Sequence, residues 1–172
     1  MTLDQNLAAF ALGRVLTSDL PRVAEHALQD GHDSVDLAVL AGSGSGERSP
    51  SELQELFQRG LQQLSKVVPS RASAGRVLSQ YYADLVTSGS LAPREGAAEI
   101  VRLATELSDV LPSREYAGDG LGVAALLGLY HSHDDVPVGD DGAHAEIDAA
   151  LMKECRRLVR SLRGQAAGNA GP

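Results

Sequence analysis

Three histidines and six carboxylates crowd into one short stretch of this chain: His131, His133 and His144, with Asp134, Asp135, Asp140, Asp141, Glu146 and Asp148. No Lys or Arg falls between His131 and Asp148, so these six acids alone account for −6 of the chain's net −8. Imidazole nitrogen and carboxylate oxygen are good ligands for Zn²⁺, Mn²⁺ or Ni²⁺, and a carboxylate-only subset suits Ca²⁺. His131, His133, Asp135 and His144 are therefore the candidate ligands of a divalent metal. Such a centre would belong to a metal-dependent enzyme or a metal-binding protein. A second chemistry is open to the same stretch. Asp134, Asp140 and Asp141 could steer a basic protein partner, which raises association rate and specificity more than affinity. The plainest reading is a solvated loop whose carboxylates favour the N-terminal dipole of the next helix.

His131-Ser132-His133-Asp134-Asp135 resembles the HxHxDH motif of metallo-β-lactamase-like hydrolases. It departs from that motif where the last histidine is replaced by Val136, and that fold needs many strands that this chain lacks. The Asp spacing around Gly142 does not fit a calcium-binding EF-hand loop.

The remaining candidates carry less. Lys153, Arg156, Arg157, Arg160 and Arg163 against Glu154 leave +4 between Ala149 and Arg163, as suits a helix C-terminus. No aromatic residue lies nearby to stack a base, so a solvated face is expected rather than a nucleic-acid site. Cys155 falls on the apolar stripe of the same helix and reads as an inert core thiol. Gly42-Ser43-Gly44-Ser45-Gly46 has glycine where a nucleophile elbow needs serine, and no lysine follows for a phosphate loop. Gly118, Gly120 and Gly122 follow no strand, so they do not make a dinucleotide fingerprint. No catalytic or cofactor-binding residue is assigned.

Helices must position whatever site exists. Thr2 with Gln5 makes a capping box ahead of Leu3, Leu7, Phe10 and Ala11. Asp19 and Pro21 open a second helix with Val23, Ala24, Ala27 and Leu28 inward, and Gly31 stops it. Asp33 or Ser34 caps a third, carrying Val35, Leu37 and Leu40. Ser49, Pro50 and Glu52 start a fourth, followed by Leu53, Leu56, Phe57, Leu61 and Leu64 at 3–4 spacing. Ser70 starts a fifth, with Ala74, Val77, Leu78, Tyr81 and Leu85 on one face and Gly89 as its stop. Pro93 and Glu95 open a sixth, burying Ala97, Ile100, Val101, Ala104 and Leu107. Leu121 to Tyr130 is apolar on all sides, the pattern of a central, buried helix. The last helix starts near Ala143, packs through Ile147, Leu151, Cys155, Leu158 and Leu162, and ends at Gly164.

No segment alternates long enough to be a strand. The expected fold is all-α, a single-domain irregular bundle of about eight helices. It covers residues 1–163, with a flexible loop at 42–50 and a disordered tail at 164–172. The expected core includes Leu56, Phe57, Val77, Leu78, Ile100, Leu126, Leu151 and Leu158. With 172 residues, two Phe, four Tyr and no Trp, that core is aliphatic.

The single cysteine excludes an internal disulfide and suits a reducing compartment. No basic-then-apolar leader opens the chain, and no apolar run is long enough to cross a bilayer. The acidic balance argues against nucleic acid and anionic membrane as partners. These features point to a small cytoplasmic protein-binding module, adaptor or immunity-type protein without catalysis, of open oligomeric state.

Two further stretches resemble small, uncharacterised all-α proteins of high-GC bacteria. One is Leu20-Pro21, Ala24, Leu28, Gly31, Asp33-Ser34, Leu37 and Leu40-Ala41-Gly42. The other is Gly89, Leu91, Pro93, Glu95-Gly96-Ala97 and Ile100. The resemblance implies an all-α fold and carries over no activity.

Overall fold

The computed structural model describes residues 1–44, 47–111 and 119–168. Among the described residues the α-helices are α1 (Leu3–Ala11), α2 (Leu20–Gln29), α3 (Val35–Ala41), α4 (Pro50–Gln63), α5 (Arg71–Thr87), α6 (Pro93–Glu106), α7 (Ala124–Asp134) and α8 (Asp141–Gly168). Two 3₁₀ turns, Thr17–Asp19 and Asp119–Leu121, precede α2 and α7. There is no strand among the described residues, so the fold is all-α.

The local signals act as the sequence indicates. Thr2 and Gln5 form a reciprocal capping box, as do Ser49 and Glu52, each satisfying donors that a helix start leaves orphaned. Two hydrogen bonds from Ser49 hold the Glu52 carboxyl below its usual range. Ser34 caps α3 by accepting from the Leu37 N–H at 3.3 Å. Gly31 and Gly89 adopt φ of +86° and +76° just past α2 and α5.

The chain falls into two compact units, Met1–Ala74 and Gly75–Pro172. In the first, Leu3, Leu7, Leu20, Val23, Leu37, Leu40, Leu56, Phe57 and Leu61 form one buried cluster. Phe10 packs edge-on to Phe57 with ring centroids 5.3 Å apart, the favoured aromatic geometry. Gln63 on α4 clasps α3: it accepts from the Ser34 hydroxyl at 2.7 Å and donates to Asp36 at 2.7 Å. The glycine-rich loop after α3 lies within this unit. Ser45 and Gly46 of that loop fall outside the described residues.

In the second unit α6, α7 and α8 pack on one another. Ile100, Leu103, Leu107, Leu126, Leu151, Cys155 and Leu158 are buried. Each large aliphatic chain so buried contributes about 1.5–3 kcal/mol.

Several expectations are corrected. Val77 is only partly buried. On α5, Gly75, Ser79, Ala83 and Val86 are buried beside Ala74 and Leu78. Small residues turn this face inward: a Cβ on Gly75 would strike Leu107, and one on Gly96 of α6 would strike Val86. Val35 is 73% exposed, so α3 packs through Leu37 and Leu40, with Ala41 partly buried against the same cluster. The apolar run before Tyr130 is not a central helix. The chain enters α7 only at Ala124, and Leu126 is its one buried residue, with Ala125 and Gly128 exposed. The last helix begins at Asp141 and runs through Gly164 to Gly168, because Gln165, Ala166 and Ala167 are good helix formers that offset one glycine. Residues 169–172 lie outside the described residues.

Candidate functional site

The histidine- and acid-rich segment is the end of α7, a turn, and the start of α8. Asp135 closes α7, its N–H bonded to the Ser132 carbonyl at 3.3 Å. The turn reverses at Gly139, whose φ of +97° strains any residue with a Cβ. Asp140 closes the turn by donating its N–H to the Pro137 carbonyl at 3.1 Å. It then starts α8, its Oδ1 accepting from the Ala143 N–H at 3.0 Å. A carboxylate at this place is an effective helix cap.

Of the four expected metal ligands, two come together. His133 and His144 pack ring on ring, centroids 4.4 Å apart and planes inclined 36°. Asp148, one turn beyond His144, sits with Oδ1 3.8 Å from His133 Nε2. That oxygen and His144 Nδ1 are both buried without a hydrogen-bond partner among the described residues. His131 is exposed and packs against Tyr130, centroids 5.4 Å apart. Two residues along a helix is a rotation of about 200°, so His131 and His133 point to opposite sides. Asp135 is exposed at the end of α7. Stacked rings meet through their faces, whereas a shared metal needs nitrogen edges turned to one point. Among the described residues, no group of three or more His, Cys, Asp or Glu is placed to hold a metal ion.

The three acids expected to meet a partner divide differently. Asp134 is paired with Arg94 of α6 at 2.5 Å, and Asp140 caps α8. Asp141 is exposed, with Asp135 and Glu146. The feature missed in the sequence is Val138, 104% exposed at the tip of the turn. A valine between Pro137 and Gly139 is the signal that could have found it, since neither neighbour extends a helix that would bury it.

The basic face of α8 is largely engaged within its own unit. Arg157 bonds Glu154 at 2.6 Å and the Gly122 carbonyl at 2.9 Å. Arg163 pairs with Asp84 at 3.0 Å, and Arg160 Nε donates to the Arg156 carbonyl at 3.3 Å. Cys155 is buried, and burial together with the neighbouring Glu154 pushes its thiol up to about 11. It is not a nucleophile at neutral pH. No helix among the described residues is long and apolar enough to cross a membrane.

No protein-family model matches this chain, and neither a curated protein nor a solved structure matches it.

Proposed function

We propose that this chain is a protein-binding module, an adaptor or immunity-type protein of the cytoplasm, that meets a basic partner through the turn between α7 and α8. One observation carries the reading: Val138 stands fully exposed at the tip of that turn, with Asp135, Asp140 and Asp141 exposed around it. An exposed apolar side chain among carboxylates offers a partner one contact to bury, while the surrounding acids steer a basic surface toward it. The Asp140 cap ties the turn to the start of α8, so less order is lost on binding.

A photo-crosslinking residue placed at Val138 tests this in cytosol. A discrete adduct is expected, absent when the same residue is placed at Val67, which is also exposed. The adduct should fall with Asp135→Lys and Asp141→Lys, and with about 0.3 M salt, where screening reaches only a few ångströms. Val138→Ser should abolish the interaction while leaving stability within about 0.5 kcal/mol. Identical products from both positions would overturn the reading.

The alternative is a metal-binding protein or metal-dependent enzyme. What speaks for it is that His144 Nδ1 and Asp148 Oδ1 are buried with no hydrogen-bond partner among the described residues, although the side chains of His133, His144 and Asp148 are not arranged to share an ion. Calorimetric titration with Zn²⁺ separates the two. Stoichiometric binding lost in His133→Ala would support a metal, and no heat would remove it.

A further inference from the structure

We propose that the first unit binds a small phosphate monoester in a cleft beside the starts of α2 and α4. This is independent of the α7–α8 turn, which belongs to the other unit. The cleft has a volume of about 580 Å³, within the range of small-molecule sites. Its charged lining is Arg22, Arg48 and Asp19. Pro21, Pro50 and Leu53 supply apolar wall, and Thr17, Ser18 and Ser43 supply hydroxyls.

Two guanidiniums against the single Asp19 carboxylate leave the cleft with a net positive charge, which favours an anion. Among the described residues neither Arg22 nor Arg48 makes an ion pair, although Arg48 is near enough to Glu52 to help hold that carboxyl low. Arg48 is oriented in advance. Its Nε donates to the Ser43 hydroxyl at 2.9 Å, and that buried hydroxyl donates to the Val39 carbonyl at 3.0 Å. The terminal nitrogens of Arg48 are thereby left to a ligand. Thr17 already accepts from Gln54 Nε2 at 3.2 Å, so its own O–H is the group left to donate.

A phosphate monoester carries nearly two negative charges and three acceptor oxygens, enough for both guanidiniums and a hydroxyl. A lone carboxylate offers only two oxygens to these three donors. Asp19 sets the rest of the ligand. It repels a second phosphate and accepts from a hydroxyl, which suits a monophosphate on a polyol or sugar.

The test uses the full chain and three probes: ribose 5-phosphate, inorganic phosphate and ribose, followed by calorimetry and by amide resonances. Ribose 5-phosphate should bind saturably and shift Arg22, Ser43 and Arg48. Inorganic phosphate should bind more weakly at the same residues, and ribose not at all. Arg22→Ala and Arg48→Ala should each weaken binding by about tenfold or more, the worth of one charge-assisted hydrogen bond. Asp19→Asn should weaken ribose 5-phosphate and spare inorganic phosphate. Arg22 and Arg48 are exposed, and an unchanged circular dichroism spectrum would show that their variants fold. Absence of saturable binding, shifts confined to other residues, or full affinity in Arg48→Ala would overturn the proposal.

Discussion

Gly60 of α4 faces Leu37 of α3 so closely that a Cβ at position 60 would lie 2.7 Å from the Leu37 side chain and 3.2 Å from its backbone nitrogen. Real Cβ atoms do not come that close, and Leu37 is fully buried, so it has nowhere to swing. Its N–H is also the donor that Ser34 caps. The glycine is therefore a contact surface, and it sets how near α3 and α4 approach.

Gly60→Ala puts two effects in opposition. Alanine gains about 1 kcal/mol of helix propensity over glycine. Overpacking a filled core costs about 1–3 kcal/mol. The steric effect wins because backbone as well as side chain must move, so urea melts should show a net loss. In a Leu37→Ala background the side-chain clash disappears and only the 3.2 Å approach to the backbone nitrogen remains, so Gly60→Ala should cost less there than in the parent, an interaction that a double-mutant cycle reads directly. A single Gly60→Ala variant as stable as the parent would contradict the close approach.

Leu126 is the one buried residue within α7. Leu126→Ala should cost about 2–5 kcal/mol, the range for a large-to-small change in a core. A loss within about 0.5 kcal/mol, the size of a surface change, would show that α7 is not anchored through it.

What the sequence made legible divides along physical lines. The helix starts at Thr2, Ser34 and Ser49 were readable because a cap is a local bond between residues three apart. The strong stripe of α4 was readable because its apolar residues are large and its other faces charged. On α5 the stripe misled. Gly75, Ser79 and Ala83 are buried because a neighbour comes close, and small residues send no hydrophobic signal. On α7 an all-round apolar surface could not say which side faces inward, and burial settled on Leu126.

The candidate site was legible as a segment and not as a geometry. Composition located His133 and His144 in one stretch, and the turn between α7 and α8 brought their rings together. Helical rotation sent His131 away, and Asp148 arrived by lying one turn past His144. Asp134 and Asp140 were consumed by Arg94 and by the cap of α8, uses that only the folded chain displays. The cleft lined by Arg22 and Arg48 joins residues from either side of a glycine-rich loop, which no spacing rule connects.

Cys155 yields a prediction with a definite sign. Burial raises its thiol from 9.0 to about 11, because a thiolate loses more solvation in the core than a thiol does. The native state therefore holds this proton more tightly than the unfolded chain. Its contribution to stability is complete below about pH 9 and is lost as pH rises toward 11. Urea midpoints should consequently fall across that window, and Cys155→Ser should show a shallower fall than the parent over the same range. A thiol-reactive disulfide reagent at pH 8 should label Cys155 slowly in native protein and rapidly in urea. Equal labelling rates in the two states would mean that α8 does not bury Cys155, and the alkaline loss of stability would have to be assigned to other groups.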